Sequence, residues 1–153
     1  MTKILFICHG NICRSPMAEY VMRDLAQKAG LGNTVTVDSA AVSSEEIGNP
    51  VYPPARAKLA SVGIKNITHR ARKMTPADYD AFDLLVCMDR SNLRRMEAIT
   101  GGDPESKMSL LMSHCGEDRE VADPWYTGDF DATLSDVTRG CTALLDKIKE
   151  KNI

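Results

Sequence analysis

The amino-terminal segment places a buried strand, a tight loop and a helix in direct succession, and this order constrains the fold more than any other feature of the chain. The continuous apolar run at residues 4–7 is typical of a strand that is buried on both faces. Beyond the loop, Ser15 is a favourable N-cap and Pro16 suits the first helical position, so a helix is expected to begin directly after Arg14. Its apolar residues follow helical spacing up to a stop at Gly30: Ala18, Val21, Met22, Leu25, Ala26 and Ala29.

The loop itself has the properties of an anion site, and it reads Cys8-His9-Gly10-Asn11-Ile12-Cys13-Arg14-Ser15. Backbone N–H groups in such a loop and at a helix N-terminus lack partners, so an anion is stabilised there. Gly10 and Asn11 are residue types that easily adopt positive φ, which lets successive N–H groups converge on one point. Arg14 adds a planar guanidinium that binds two phosphate oxygens. The loop is therefore predicted to hold a phosphate.

Cys8 lies at the carboxyl end of the predicted strand, next to this positive potential. A helix N-terminus and a neighbouring arginine favour the thiolate, which is the nucleophilic form of cysteine. We predict that Cys8 is a nucleophile that attacks phosphorus.

Strand and helix patterns alternate along the rest of the chain. Val35 and Val37 alternate with threonines in a second strand, residues 83–88 form a third, and a weaker fourth lies at 108–112. Helical patterns cover 54–62, 76–82, 92–99 with Ser91 before it, and a last helix with the apolar face Leu134, Val137, Cys141, Leu144, Leu145 and Ile148. This alternation predicts a three-layer α/β fold: a four-stranded parallel sheet flanked by helices on both faces, with the phosphate-binding loop after the first strand. No linker or repeat appears, so residues 1–153 are expected to form a single domain.

Charge and cysteine content argue against several other classes of protein. With 19 basic and 21 acidic residues, the net charge of −2 gives no general reason to expect nucleic acid or a membrane as partner. No apolar stretch is long enough to span a bilayer and the start lacks a signal-peptide pattern, so we expect a cytoplasmic location and a monomer. The 5 cysteines cannot all pair within one chain, and they include no CxxC pair. Reduced thiols, no metal and no cofactor are therefore expected; a metal site at Cys8 and Cys13 is disfavoured because His114 and Cys115 are far away in sequence.

Two long irregular stretches, 41–53 and 113–129, are expected at the carboxyl ends of the strands, where ligands of α/β sheets bind. Asp123 in the second stretch is a candidate general acid, because the oxygen that leaves when a P–O bond breaks needs a proton and a positioned acid contributes about 10²–10⁴-fold. Taken alone, Asp-Pro is more typical of a turn. Trp125 and Tyr126 fit either plain packing or a slot for a flat phenyl ring.

Together with these later segments, Cys8-His9-Gly10-Asn11-Ile12-Cys13-Arg14-Ser15-Pro16 resembles the signature loop of the low-molecular-weight protein tyrosine phosphatases. The resemblance spans almost the whole chain and includes Val37-Asp38-Ser39-Ala40, Ile47-Gly48-Asn49-Pro50, His69-Arg70-Ala71-Arg72, Cys87-Met88-Asp89-Arg90-Ser91-Asn92 and Asp123-Pro124-Trp125-Tyr126. It implies hydrolysis of a phosphotyrosine-containing protein or another aryl phosphate through a phosphocysteine on Cys8, with Asp123 as acid and then base.

The resemblance also implies roles for the residues around the nucleophile. The Ser15 hydroxyl would donate to the Cys8 sulfur, while Asn11, Ser39 and His69, with Asp89 and Arg72 further out, would hold the loop in shape through hydrogen bonds. Substrate contacts would come from the remaining loop residues and the walls: His9, Gly10, Ile12, Cys13, Glu45, Trp125 and Tyr126.

Two of these positions bear on specificity. Ile12 is apolar, whereas family members that act on phosphoarginine carry Thr there, so the residue favours phosphotyrosine. Glu45 stands where many members have an aromatic rim residue, and a carboxylate there is expected to favour basic peptides over acidic ones.

Cys13 is either a small buried hydrophobe or a resolving thiol that traps oxidised Cys8 as a disulfide, and the resemblance favours the second. This interpretation makes the protein redox-sensitive.

Three alternatives remain at the level of sequence. An arginine phosphatase or an arsenate reductase would share the fold, but the reductases need two further cysteines, and Cys87 has no companion in a short loop after it. A non-catalytic phosphate-binding module would not need both Cys8 and Asp123, and the Gly-Lys-Ser/Thr of a Walker loop is absent.

Overall fold

The computed structural model describes residues 1–150, and within them it has one sheet of four parallel strands, as predicted. β1 (Thr2–Cys8) pairs with β2 (Val35–Ala41) on one side and with β3 (Leu84–Cys87) on the other, and β4 (Met108–Leu110) completes the order β2-β1-β3-β4. The central position of β1 explains its continuous apolar run, because both of its faces are covered.

Helices cover both faces of this sheet. In chain order they are α1 (Arg14–Lys28), α2 (Pro53–Ser61), α3 (Ala77–Ala81), α4 (Arg90–Thr100), α5 (Pro124–Thr127) and α6 (Phe130–Lys149). One core contains Ile4 and Phe6 of β1 together with buried residues of α1, α2 and α6, whereas Leu5 and Ile7 face a second core with residues of α3 and α4. The alternation of strand side chains between the two cores produces the predicted three-layer α/β architecture.

The start of α1 differs from the prediction. The helix begins at Arg14, its N-cap is Cys13, and no side chain caps it, so Ser15 is not the N-cap. The Ser15 hydroxyl instead lies 3.0 Å from the Cys8 sulfur and accepts a hydrogen bond from Asn11. The loop therefore uses this serine for its own geometry.

Other boundaries moved for local reasons. α4 begins at Arg90 rather than at 92, because Asp89 and Asn92 form a capping box with each other's backbone N–H groups. The predicted fourth strand ends early, since residues Leu111–Cys115 form a 3₁₀ helix. α5 was not predicted, although a proline after an N-cap aspartate and a glycine after the last turn are its usual signals.

The last helix has the predicted apolar face, with Val137, Cys141 and Leu144 fully buried. Among residues 1–150, no helix has both the length and the apolar character needed to cross a lipid bilayer.

Candidate active site

A cleft opens at the carboxyl end of β1, and most of the predicted site residues line it. Its walls come from the loop after β1, from the segment after β2 and from α5. The lining residues are Cys8, His9, Gly10, Asn11, Ile12, Cys13, Arg14, Glu45, Glu46, Asp123, Trp125 and Tyr126. Ser15, Ser39 and His69 do not line the cleft and lie behind the loop.

The Cys8 sulfur is buried at the bottom of the cleft and has two hydrogen-bond partners. The Asn11 backbone N–H donates to it at 3.3 Å, and the Ser15 hydroxyl oxygen lies 3.0 Å away. Because that oxygen already accepts from the Asn11 amide, its own hydrogen is available to the sulfur. Both groups stabilise negative charge on Cys8 and hold the sulfur in one position.

Asn11 organises the loop. It is fully buried and has φ of 63°, so it supplies the positive φ that the loop needs, whereas Gly10, also predicted for this, is not among the positive-φ residues. Its amide donates to Ser15 at 2.8 Å and to Ser39 at 2.9 Å. Its carbonyl oxygen accepts from the His69 Nε2–H at 2.8 Å and from the Arg72 backbone N–H at 3.1 Å. Four hydrogen bonds thus fix one side chain.

Glu19 of α1 completes this network and was missed in the sequence. Its carboxylate accepts from the Ser39 hydroxyl at 2.6 Å, from Arg23 at 2.7 Å, and lies 3.3 Å from His69 Nδ1. The available signal was a glutamate directly beside the apolar positions of an otherwise amphipathic helix, where it is only 4% exposed. The guanidinium of Arg23 compensates its buried charge.

Arg14 is almost completely buried, and acidic partners hold its guanidinium against the cleft. Nη1 donates to Asp89 at 2.8 Å and to the Val121 carbonyl at 2.9 Å, while Nη2 lies 3.4 Å from Asp123. Burial acts to lower the pKa of Arg14, but the nearby Cys8, Asp89 and Asp123 raise it above the ordinary value. The guanidinium is therefore charged throughout the physiological range, and its orientation is fixed.

Asp123 is the N-cap residue of α5. One carboxylate oxygen accepts from the Trp125 backbone N–H at 3.0 Å and so caps the helix, and the other faces Arg14. The carboxylate is 25% exposed and lines the cleft, so it can exchange a proton with a bound ligand or with water.

The cleft is lined by an aromatic wall, Trp125 and Tyr126, and by acidic residues. Trp125 and Tyr126 are 52% and 83% exposed, and Ile12 of the loop also lines the cleft. Glu45 lies 3.2 Å from the His9 Nε2, and Glu46, which was not predicted, also lines the cleft. A flat apolar ligand fits the aromatic wall, and the acidic residues favour a cationic group.

Cys13 is buried next to the nucleophile. Burial first, and then the negative charges of Cys8 and Asp123, raise the pKa of its thiol to about 12, although Arg14 acts in the opposite direction. Cys13 is therefore a thiol at neutral pH. Cys87 and Cys141 are fully buried and pack as small hydrophobes.

Among the described residues, Glu19, Asp38 and His69 form one group whose donor atoms lie within 4.8 Å of one another. The two carboxylates already form ion pairs, Glu19 with Arg23 and Asp38 with Arg72. Their charge is thus compensated within the protein, and the group is best described as part of the scaffold behind the loop.

Comparisons with known proteins agree with this geometry. Residues 3–153 match the sequence model of the family described as low molecular weight phosphotyrosine protein phosphatase. The low molecular weight protein-tyrosine-phosphatase YfkJ of Bacillus subtilis is 38% identical with 100% of both chains covered, and its crystal structure has a TM-score of 0.95 at 36% identity, covering 100% of this chain and 98% of that chain. The human low molecular weight phosphotyrosine protein phosphatase is 38% identical over 94% of each chain. DARP, a drosophila arginine phosphatase, has a TM-score of 0.87 at 33% identity, with 97% of this chain and 98% of that chain covered. The chain therefore belongs to the low molecular weight phosphotyrosine protein phosphatase family and is an enzyme of that class.

Proposed function

We propose that the protein hydrolyses phosphotyrosine in proteins, and other aryl phosphates, through a phosphocysteine on Cys8. The observation that carries the proposal is the convergence of three groups on one cleft: a hydrogen-bonded sulfur, a buried guanidinium and a partly exposed carboxylate. They match a nucleophile, a phosphate-binding cation and a proton donor. A module that only binds phosphate would not need both the nucleophilic sulfur and the proton-donating carboxylate.

In the first half-reaction, the Cys8 thiolate attacks phosphorus and the bond to the phenolic oxygen breaks. The loop N–H groups and Arg14 bind the phosphoryl oxygens, whose negative charge they stabilise. Protonated Asp123 transfers its proton to the leaving oxygen, so that a neutral phenol departs and Asp123 becomes a carboxylate.

In the second half-reaction, water attacks the phosphocysteine and the bond between sulfur and phosphorus breaks. The Asp123 carboxylate takes a proton from this water, which restores its protonated form. The Ser15 hydroxyl, 3.0 Å from the sulfur, stabilises the departing Cys8 thiolate. Inorganic phosphate is released, and the enzyme returns to its starting state.

The aromatic wall supports phosphotyrosine as the substrate. Ile12, Trp125 and Tyr126 line the cleft and offer apolar surface to a phenyl ring, and the two aromatic side chains are largely exposed. The likeness to an arginine phosphatase makes phosphoarginine the second candidate, and the carboxylates of Glu45 and Glu46 favour a cationic guanidinium. Ile12 argues against it, because the resemblance implies Thr at this position in such enzymes.

Phosphate release from three peptides of one sequence tests the proposal, with phosphotyrosine, phosphoserine or phosphoarginine at the same place. We expect hydrolysis of phosphotyrosine above both others, complete loss in Cys8→Ser, and a loss of about 10²-fold or more in Asp123→Ala. Activity that survives Cys8→Ser would overturn the mechanism, and a preference for phosphoarginine would establish the second candidate. Cys141→Ser, which removes a thiol remote from the cleft, is the matched control.

The remaining properties are proposals as well. A cytoplasmic location fits the 5 free cysteines, which stay reduced there. We also infer that the single domain acts as a monomer, without metal or cofactor and without nucleic acid or membrane as partner. We propose in addition a redox role for Cys13, which is supported by its burial in the phosphate-binding loop that also holds Cys8.

A further inference from the structure

Tyr52 contacts both the phosphate-binding loop and α5, although it does not line the cleft. Its backbone N–H donates to the Ile12 carbonyl at 2.9 Å, which ties it to the phosphate-binding loop. Its ring lies 4.8 Å from the Trp125 ring, measured between centroids, and 6.1 Å from the ring of Phe130. The same ring packs on the small apolar cluster that contains Ile12 and Cys13.

The contact with Trp125 bears directly on Asp123. The Asp123 carboxylate accepts from the Trp125 backbone N–H, so the orientation of the acid depends on where Trp125 lies. α5 has 4 residues, and a helix this short is not stable in isolation. Trp125 is half exposed, so its packing against Tyr52 is a large part of what holds it.

We propose that Tyr52 is a positioning residue for the general acid: its ring fixes Trp125, and Trp125 fixes the Asp123 carboxylate relative to the phosphate held by the loop. The inference rests on the proposed function, because it assigns Tyr52 a part in proton transfer by Asp123. An aromatic pair of this geometry typically stabilises by about 0.5–1.5 kcal/mol.

The test uses leaving groups of different basicity. Phenyl phosphate needs protonation of its leaving oxygen, whereas 2,4-dinitrophenyl phosphate leaves readily as the anion. The ratio of kcat/KM for the first substrate to that for the second therefore reports on the acid. In Tyr52→Leu we expect this ratio to fall about 3–10-fold, which corresponds to the free energy that an aromatic pair typically contributes. Tyr52→Phe, which keeps the ring, should restore it.

Trp125 supplies an independent signal, because it is the only tryptophan of the sequence. Its fluorescence should become more accessible to acrylamide in Tyr52→Leu and not in Tyr52→Phe. Phe82→Leu is the matched control, since it removes a ring from the core on the opposite face of the sheet. A purely structural loss would lower both kcat/KM values together and leave their ratio unchanged.

The outcomes separate the two levels of the account. A ratio in Tyr52→Leu equal to that of the parent, with a collapsed ratio in Asp123→Ala, would overturn the role of Tyr52 and leave the proposed function intact. An unchanged ratio in Asp123→Ala would overturn the general acid and the inference together. If Tyr52→Leu does not fold, Tyr52→Met also removes the ring but has a flexible, unbranched side chain that adapts to the space, and the same ratio decides.

Discussion

Replacing Asn11 by alanine should destabilise the protein more than any substitution on its surface, because this side chain holds the phosphate-binding loop together. The change removes four hydrogen bonds, to Ser15, Ser39, His69 and the Arg72 backbone, all made by a side chain with no exposed surface. Each contributes about 1 kcal/mol net.

The backbone adds a second cost. Asn11 has φ of 63°, a conformation that costs alanine about 1 kcal/mol. The free energy of unfolding should therefore fall by about 5 kcal/mol, a loss expected only where a buried network is broken. In the folded fraction, phosphate should bind more weakly, because the loop N–H groups no longer converge.

Urea unfolding measures the first effect, and the increase in stability with added phosphate measures the second. Asn66→Ala is the matched control: Asn66 is exposed and has φ of 61°, so this variant has only the backbone cost of about 1 kcal/mol. A loss in Asn11→Ala below about 2 kcal/mol, or equal to that of Asn66→Ala, would refute the central role of the network.

Further predictions concern the rim, the second thiol and a remote histidine. Glu45→Gln should lower the preference for basic over acidic phosphotyrosine peptides about 2–5-fold in kcat/KM, as expected for one exposed charge pair. Glu97→Gln on α4 is the control. An unchanged preference in Glu45→Gln would refute a role of the Glu45 charge in peptide selection. Cys13→Ser should recover less activity than the parent when peroxide treatment is followed by a reductant. The reason is that a pKa of about 12 keeps Cys13 as a thiol until Cys8 has reacted. Equal recovery would contradict the role of Cys13 as a resolving thiol. Burial, and then Lys147, lower the pKa of His114 to about 4. Between pH 6.5 and 4 the unfolded chain therefore binds a proton that the folded chain does not, and the free energy of unfolding decreases as the pH is lowered. His114→Asn should reduce this fall by about 2 kcal/mol after allowance for partial exposure, measured by urea unfolding at pH 7 and pH 4.5; identical slopes would refute the assignment.

The sequence predicted those features that depend on local pattern. The buried strand β1, the loop after it and the amphipathic faces of α1 and α6 all follow from hydrophobic spacing, which the structure reproduces. Cys8 and Arg14 were predicted as site residues because residue types with distinct chemistry stand at the ends of predicted elements, whereas Asp123 was predicted from a long irregular stretch and from the family resemblance. The fold class needed no more than the alternation of strands and helices.

What the sequence could not predict depends on tertiary contacts. Serine is a favoured residue type at a helix N-cap, yet the Ser15 hydroxyl lies against the Cys8 sulfur because the loop brings its two ends together. Glu19 and Tyr52 carry no motif, and their importance comes from partners that are distant in sequence, Ser39 and Trp125. The Asp89 cap was readable from its spacing to Asn92, but Ser91 offered an equally plausible start.

The most direct test of the central claim is detection of the covalent intermediate. The protein is mixed with an aryl phosphate, quenched within milliseconds in acid and digested, and the peptide that contains Cys8 is analysed by mass spectrometry. The account predicts one phosphoryl group on the Cys8 sulfur, absent in Cys8→Ser and still present in Cys13→Ser. Full turnover without any phosphate on Cys8, or a phosphoryl group on another residue, would contradict it.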